Sequence, residues 1–385
     1  MRRLFTSESI TNGHPDKVCD QIADGILDAL LSQDPLSRSA CEVTAEPGAV
    51  HIMGEITTKA NVDYKEIARK VIRKIGYTKP EYGFDDSAAI TSSIHQQSSD
   101  IAMGVDSAYG DSSTIGAGDQ GMMFGYASDE AEECMPLALA LSRKLTMALS
   151  RERRAGTLPF LRPDGKSQIT VEYDGRKAVR IAAVVLSAQH DEDIALEDLR
   201  KELMEKIIMA ELPEELLDKN TKFFINPTGR FVLGGPAADT GLTGRKIIAD
   251  TYGGYAHHGG GAFSGKDPTK VDRTASLALR NIAKTIVYSG AAAECELQAA
   301  YAIGVAEPVS LAVFTYGTGR VSDEEILKWV GRHYDLRPEG MIRQLDLRRP
   351  IYRKTSSFGA FGRTDVSLPW ESINEEALND LKKLI

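Results

Sequence analysis

From Gly259 to Gly265 the chain holds four glycines in seven residues, and Lys266, Asp267, Lys270, Asp272 and Arg273 follow closely. Backbone amides left uncovered by side chains can approach a polyanion and donate to it. Lys266, Lys270 and Arg273 add full positive charge. Asp267 and Asp272 do not suit a bare phosphate, but they suit one carried with a divalent cation. The run therefore points to a site for a metal-bound polyphosphate, against the plainer reading of a glycine-rich surface loop leading into a charged helix. A second cluster, Gly13-His14-Pro15-Asp16-Lys17, stands at a helix start, where amides are free and the helix dipole favours anions. His14 can donate to a phosphate-ester oxygen there and Asp16 can hold magnesium; an ordinary helix start explains the residues equally well. A third cluster runs through Asn226 to Phe231, Gly234-Gly235-Pro236, Asp239, and Gly241 to Lys246. Its glycines, a Phe231 able to stack on a base, and the pair Arg245-Lys246 fit a nucleotide site, with a turn-rich charged surface as the alternative. Arg162-Pro163-Asp164-Gly165-Lys166 reads as a plain β-turn with a charged tip. Glu42 and Glu55 lie in strand-like runs, where an acid is expected on the solvated face.

Two familiar motifs are approached and missed. Gly260, Gly265 and Lys266 match the start of a phosphate loop, but Asp267 replaces the Ser or Thr that would hold magnesium, and no apolar strand comes before. Gly116-Ala117-Gly118-Asp119-Gln120-Gly121 fits the dinucleotide fingerprint, yet a strand-like run, Met122 to Tyr126, comes after it rather than before. Both readings are rejected.

The elements that must position these residues follow from periodicity and composition. The chain has 385 residues, 42% of them hydrophobic, enough for a large core divided into two or three subdomains. Its 46 Lys and Arg against 55 Asp and Glu give a net charge of −9, which argues against nucleic acid as a partner and for local basic clusters serving a small anion. The four cysteines form no C-x-x-C pair and read as reduced, mostly buried thiols of a cytoplasmic protein. No apolar signal core follows Met1, and the most apolar stretch, Ala291 to Tyr316, is too interrupted to span a membrane. Helices are expected from Pro15 to Leu31, Asn61 to Ile75, Met135 to Arg154, Asp193 to Met209, Lys270 to Tyr288, and Ser322 to about Tyr334. Strand pairs are expected over Cys41 to Thr58, over Gln168 to Ala188 with its turn at Asp174-Gly175, and over Glu296 to Tyr316. His95 to Gly118 reads as a long lid-like loop. The recurrence of strand pairs and helices predicts an α+β protein of similar lobes, with helices on one face of each sheet.

Taken together, these segments resemble the S-adenosylmethionine synthetase (methionine adenosyltransferase) family, from about Phe5 to about Trp370. The strongest agreement lies in Gly13 to Lys17, Gly54 to Thr58, Gly116 to Gly121 and Gly259 to Asp272. The resemblance implies synthesis of S-adenosylmethionine from ATP and L-methionine, with the triphosphate then cleaved to pyrophosphate and phosphate. It implies three β-α-β-β-α-β lobes around a pseudo-threefold axis, roughly 1–110, 111–230 and 231–385. It further implies a homodimer with active sites at the interface, pairing into a homotetramer. His14 would contact the leaving oxygen, with Lys166, Arg245, Lys246 and Lys266 around the triphosphate. Asp16 and Asp272 would hold two magnesium ions per site, and Glu42 one potassium ion. Glu55, Gln97, Asp239 and Lys270 would hold methionine. Asp164, Arg230, Phe231 and Ala262 would line the adenosine side, with Asp119 close by and Asp239 touching ATP as well. The loop from Gln97 to about Ser107 would form a gate.

The chain departs from the family pattern at Ser99, where bacterial members usually have Pro, and at Met103, His257 and Ala360. None of these is assigned to catalysis. The rival enzyme class is a kinase or ligase that cleaves ATP within its phosphate chain; the rival non-enzyme is an ATP-binding scaffold, which would need a missing cation or metal ligand.

Overall fold

The computed structural model describes residues 2–97, 107–111 and 113–385. Strand β1 (Arg2–Ile10) leads into helix α1 (Pro15–Gln33), followed by β2 (Arg38–Glu46), β3 (Ala49–Thr57), α2 (Tyr64–Ile75) and β4 (Ala89–His95). Next come β5 (Gly121–Ser128), α3 (Leu137–Ala155), β6 (Leu161–Asp174), β7 (Lys177–His190), α4 (Leu196–Leu203), β8 (Lys222–Ile225), β9 (Gly241–Leu242) and the short α5 (Ile247–Asp250). The chain continues through α6 (Val271–Ser289), β10 (Glu294–Tyr301), β11 (Ser310–Phe314), α7 (Asp323–His333), α8 (Pro338–Gln344) and α9 (Glu375–Lys382).

The strands form three sheets, ordered β4-β3-β2-β9, β1-β6-β7-β8 and β11-β10-β5. Each is backed by helices, so the chain is an α+β protein. Val18, Ile22, Ile26 and Leu30 of α1 join Ile72 of α2 against Val43 and Ile52. Leu141 and Leu145 of α3 and Leu203 of α4 pack on Ile169 and Val184. Leu279 and Ile282 of α6 meet Leu297, Trp329 and Trp370. The sheets draw on distant parts of the chain. β1 pairs with β6, β9 joins the sheet of β2, and β5 pairs with β10. Backbone from the first and last thirds of the sequence meets at β2, where Lys266 bridges Ala40, and at β5, while β6 joins the first third to the middle.

Local chemistry explains most boundaries. Pro15 takes the first position of α1, where its missing N–H is no loss. Asp63 caps α2 by accepting from Lys65 N and Glu66 N, and Gly76 ends it in a left-handed turn at φ +115°. Ser322 and Glu325 form a capping box on α7. The hairpin of β6 and β7 is longer than expected and turns at Gly175-Arg176, because bulges let the two strands stay paired past irregular positions. The helix expected from Asp193 starts at Leu196 and passes into a π-turn over Met204–Ile208. Strands β1 and β4 have no sequence counterpart in the expectations above. β1 exposes Leu4 and buries Ser7, Ser9 and Ile10, and β4 buries Ile90 but exposes most of its length, so neither shows an alternation of apolar and polar residues.

Candidate active site

The first cluster forms where β1 turns into α1. Thr11 N donates to Gly165 O at 2.9 Å, and Thr11 Oγ1 donates to Pro163 O at 2.8 Å. Gly13 is needed here because a Cβ would lie 2.3 Å from the Pro163 carbonyl. The pairing of Ile10 with Lys166 brings Lys166 beside the turn. The segment Arg162 to Lys166 is therefore not a free β-turn. It is the irregular start of β6, where pairing jumps from Leu161–His190 to Gly165–Ala188; Asp164 is turned inward there while Lys166 stays exposed. Asp164 is buried, and its Oδ2 accepts from Gly235 N at 2.9 Å. Among the described residues its Oδ1 has no hydrogen-bond partner. Burial pushes this carboxyl up to about 6, although the Gly235 N–H and Lys166 oppose the rise.

His14 caps α1 and is 3% exposed. Its Nδ1 accepts from Asp16 N at 3.2 Å. Burial, with Lys166 and Lys246 adding to it, lowers its pKa to about 3. The ring is thus neutral, and with Nδ1 accepting, its proton sits on Nε2, a donor. Asp16 accepts from Leu242 N at 3.0 Å and from Lys246 Nζ at 2.6 Å, and Arg245 Nη1 lies 3.9 Å away. Burial alone would raise Asp16; the Lys246 ammonium and the Leu242 N–H outweigh it and hold the carboxyl below its usual range.

Asp16 is the first rung of a ladder along α1. Asp20 accepts from Gly244 N at 3.0 Å and from Lys17 Nζ at 2.8 Å. Asp24 takes Arg273 in a two-point pair, both contacts at 2.7 Å, and Gly265 N at 2.9 Å. Asp28 accepts from Tyr352 N and Arg353 N. Each carboxylate fixes a segment from the second half of the chain. Sequence reasoning missed this role for Asp20, Asp24 and Asp28, although four acids spaced by four on an otherwise apolar helix are a usable signal. The ladder also reassigns Arg273, which is buried against Asp24 with the Tyr352 ring 4.2 Å from its guanidinium, not offered to a ligand.

The second cluster lies across β2. Cys41 N donates to Gly265 O at 3.2 Å, and Asp267 N to Ser39 O at 3.1 Å, laying the glycine-rich run along the strand. Asp267 is fully buried and accepts from Ser39 N, Thr269 N and Lys270 Nζ. It is a fastener of this run rather than the metal-facing acid its position suggested. Lys266 Nζ pairs with Asp272 Oδ2 at 2.5 Å. Gly261 leaves room for that carboxylate, since a Cβ there would lie 2.3 Å from Asp272 Oδ1. Glu42 accepts from the Thr243 hydroxyl, and Ala262 packs against Gly244. A cavity of about 480 Å³ opens nearby, lined by Glu55, Gln97, Asp119 and Lys270 with Arg38 and Ser39. Residues 98–106 of the expected gate, with Ser99 and Met103, lie outside the described residues.

The remaining expected residues are spread around these clusters. Phe231 lies half-buried beside Gly234, on the Asp164 side. Asp239 is exposed near Asp164 and does not line the cavity of Glu55, Gln97 and Lys270. Arg230 points to solvent, paired with Glu192 at 2.6 Å. Among the described residues no group of three His, Cys, Asp or Glu could hold a metal, and no helix is long and apolar enough to cross a membrane.

Lysines, arginines, a buried histidine and single carboxylates are gathered on an α+β frame, a set of the kind found in transferases that handle a polyphosphate. Sequence comparison agrees: the S-adenosylmethionine synthetase N-terminal domain matches residues 2–99, the central domain 114–231 and the C-terminal domain 233–372. The S-adenosylmethionine synthase of Clostridium tetani (strain Massachusetts / E88) is 55% identical over the full length of both chains. The chain belongs to the S-adenosylmethionine synthetase family.

Proposed function

We infer that this enzyme makes S-adenosylmethionine from ATP and L-methionine, by attack of the methionine sulfur on ribose C5′. The C5′–O bond breaks as the S–C5′ bond forms, and triphosphate leaves and is then hydrolysed to pyrophosphate and phosphate. The observation that carries this reading is the neutral His14 with its donor Nε2 among Lys166, Lys246 and Asp16. A thioether has no proton to lose, so its attack needs no general base. The barrier lies in charge growing on the leaving oxygen, which fixed donors and cations stabilise in advance. His14 Nε2–H serves that oxygen, and Lys166, Arg245, Lys246 and Lys266 serve the phosphate chain. Asp164, with its unpartnered Oδ1, and Phe231 face the adenosine, with Arg230, Ala262 and Asp119 at its margins. Glu55 and Asp239 face the methionine ammonium, Lys270 its carboxylate, and Gln97 closes that side.

The donor set fits magnesium. Asp16 and Asp272 are single carboxylates, each beside a lysine, and no dedicated three-ligand cage exists among the described residues. Magnesium is commonly held by one or two carboxylates while phosphate oxygens and water complete its shell. Bound there, two such ions would neutralise charge on the triphosphate. Glu42, with the Thr243 hydroxyl beside it, offers oxygen donors suited to potassium. The division of the methionine residues, with Asp239 away from the cavity, supports a homodimer whose partner completes each site, pairing further into a tetramer. The exposed apolar side chains Met122, Phe314 and Tyr316 on and beside the β5-β10-β11 sheet suit such a contact. Four buried free thiols suit a cytoplasmic setting. We also take the three matched domains as three lobes of one catalytic unit.

ATP carrying ¹⁸O at the bridging 5′ oxygen tests the bond that breaks. The reading predicts all label in pyrophosphate and phosphate; label retained on an adenosine-containing product would refute it.

A further inference from the structure

Tyr77 follows Gly76, the residue that ends α2, and its side chain is fully buried. Its ring stands edge-on to Tyr82 and Phe84, with centroids 6.4 and 5.6 Å away, which fixes the ring plane. The hydroxyl donates to Gly13 O at 2.6 Å. That carbonyl shares a peptide plane with His14 N, and His14 N donates to Thr11 O at 3.3 Å. Both polar atoms of the plane that sets the His14 backbone are therefore held, and the rest of the Gly13 environment is closed by Pro163. Tyr77 also backs a second segment. Gly235 sits at φ +62°, and a Cβ there would lie 2.0 Å from the Tyr77 hydroxyl oxygen. The N–H of Gly235 is the one that holds Asp164 Oδ2.

One side chain thus abuts the peptide before His14 and the turn that clamps Asp164. We propose that Tyr77 is a positioning residue for adenosyl transfer, its hydroxyl orienting His14 toward the leaving oxygen while its ring sets the Gly235 turn under Asp164. The proposal rests on the role given to His14 above. Removing the hydroxyl leaves the Gly13 carbonyl buried without its partner and frees the peptide plane to rotate. Since small displacements of a catalytic group are costly, the loss falls on kcat. The KM for methionine stays, because Tyr77→Phe keeps the ring behind the Gly235 turn, whose carbonyl accepts from Asp239 N at 3.2 Å, and Glu55, Gln97 and Lys270 line a cavity that Tyr77 does not.

The test is a double-mutant cycle of Tyr77→Phe and His14→Ala in the full-length enzyme, read as kcat, KM for methionine and thermal midpoint. Tyr77→Phe should lower kcat about tenfold to a hundredfold with an unchanged KM for methionine, and should cost almost nothing further in the His14→Ala background. Tyr82→Phe, in the same apolar cluster, should leave kcat unchanged and reports any general cost of altering that cluster. A Tyr77→Phe enzyme with a lowered midpoint but normal kcat overturns the proposal, and so does an equal loss in both His14 backgrounds. Near-normal turnover of His14→Ala alone would instead remove the reading of His14, an outcome distinguishable from the other two.

Discussion

The corner where β1 enters α1 and the cavity beside β3 are built on opposite principles. In the corner, His14 and Asp16 are 3% and 2% exposed, His14 Nδ1 accepts from Asp16 N, and Asp16 accepts from Leu242 N and Lys246 Nζ. In the cavity, Glu55 and Asp119 are exposed and Gln97 is half-buried, while Lys270 and Ser39 are held by Asp267. The difference matches the two tasks assigned to them. Stabilising charge on a leaving oxygen demands donors that do not reorganise during the reaction. Admitting and releasing an amino acid demands a wall that is reachable from solvent. The carboxylate ladder on α1 is what makes the corner rigid, and the cavity has no such ladder.

The sharpest way to break the contrast is to cut the ladder. Asp24→Asn leaves Arg273 buried without its counter-charge and should destabilise the fold by about 3–5 kcal/mol, seen in chemical denaturation; a loss no larger than that of a surface pair would show that the ladder is not what holds the corner. Next in size, His14→Ala or Lys166→Ala should lower kcat by about 10²–10³ while the unfolding midpoint stays near that of the parent, and near-normal turnover in both would end the leaving-group assignment. On the cavity side, Glu55→Gln should act on methionine rather than on the chemistry. Its KM for methionine should rise about tenfold or more, as expected for a lost charge-assisted contact, and a fall in kcat alone would place Glu55 with the corner instead. Glu42→Gln should have the smallest effect, a weaker activation by potassium with little change at saturating salt. Unchanged potassium dependence would take Glu42 out of the metal set.

The corner and the cavity also differed in how plainly the sequence announced them. α1 was legible because Pro15 marks its start and Val18, Ile22, Ile26 and Leu30 repeat along it, and all four are buried. The glycine-rich run was legible because glycines and cations concentrate there. Its inner wiring was not. Arg273 and Asp267 look like ligands for phosphate or metal in a linear reading, yet both are consumed by partners that the fold brings from α1 and β2. Asp164 shows the same limit from the other side. Pro163 and Gly165 give its segment the composition of a turn, and only the pairing of β6 with both β1 and β7 reveals a buried acid. β1 itself carries two arginines, a glutamate and three hydroxyl residues, so its place in a sheet depends on β6 and not on its own pattern. The role of Tyr77 carries no local signal, since the two segments its hydroxyl meets lie 64 and 158 residues away in the chain.

The measurement that tests the account most directly is product analysis by mass spectrometry, with purified protein, ATP, L-methionine, magnesium and potassium. The account predicts S-adenosylmethionine together with pyrophosphate and phosphate, none of them formed without methionine. ADP or AMP as the nucleotide product would contradict it, leaving a polyphosphate site that serves a different reaction.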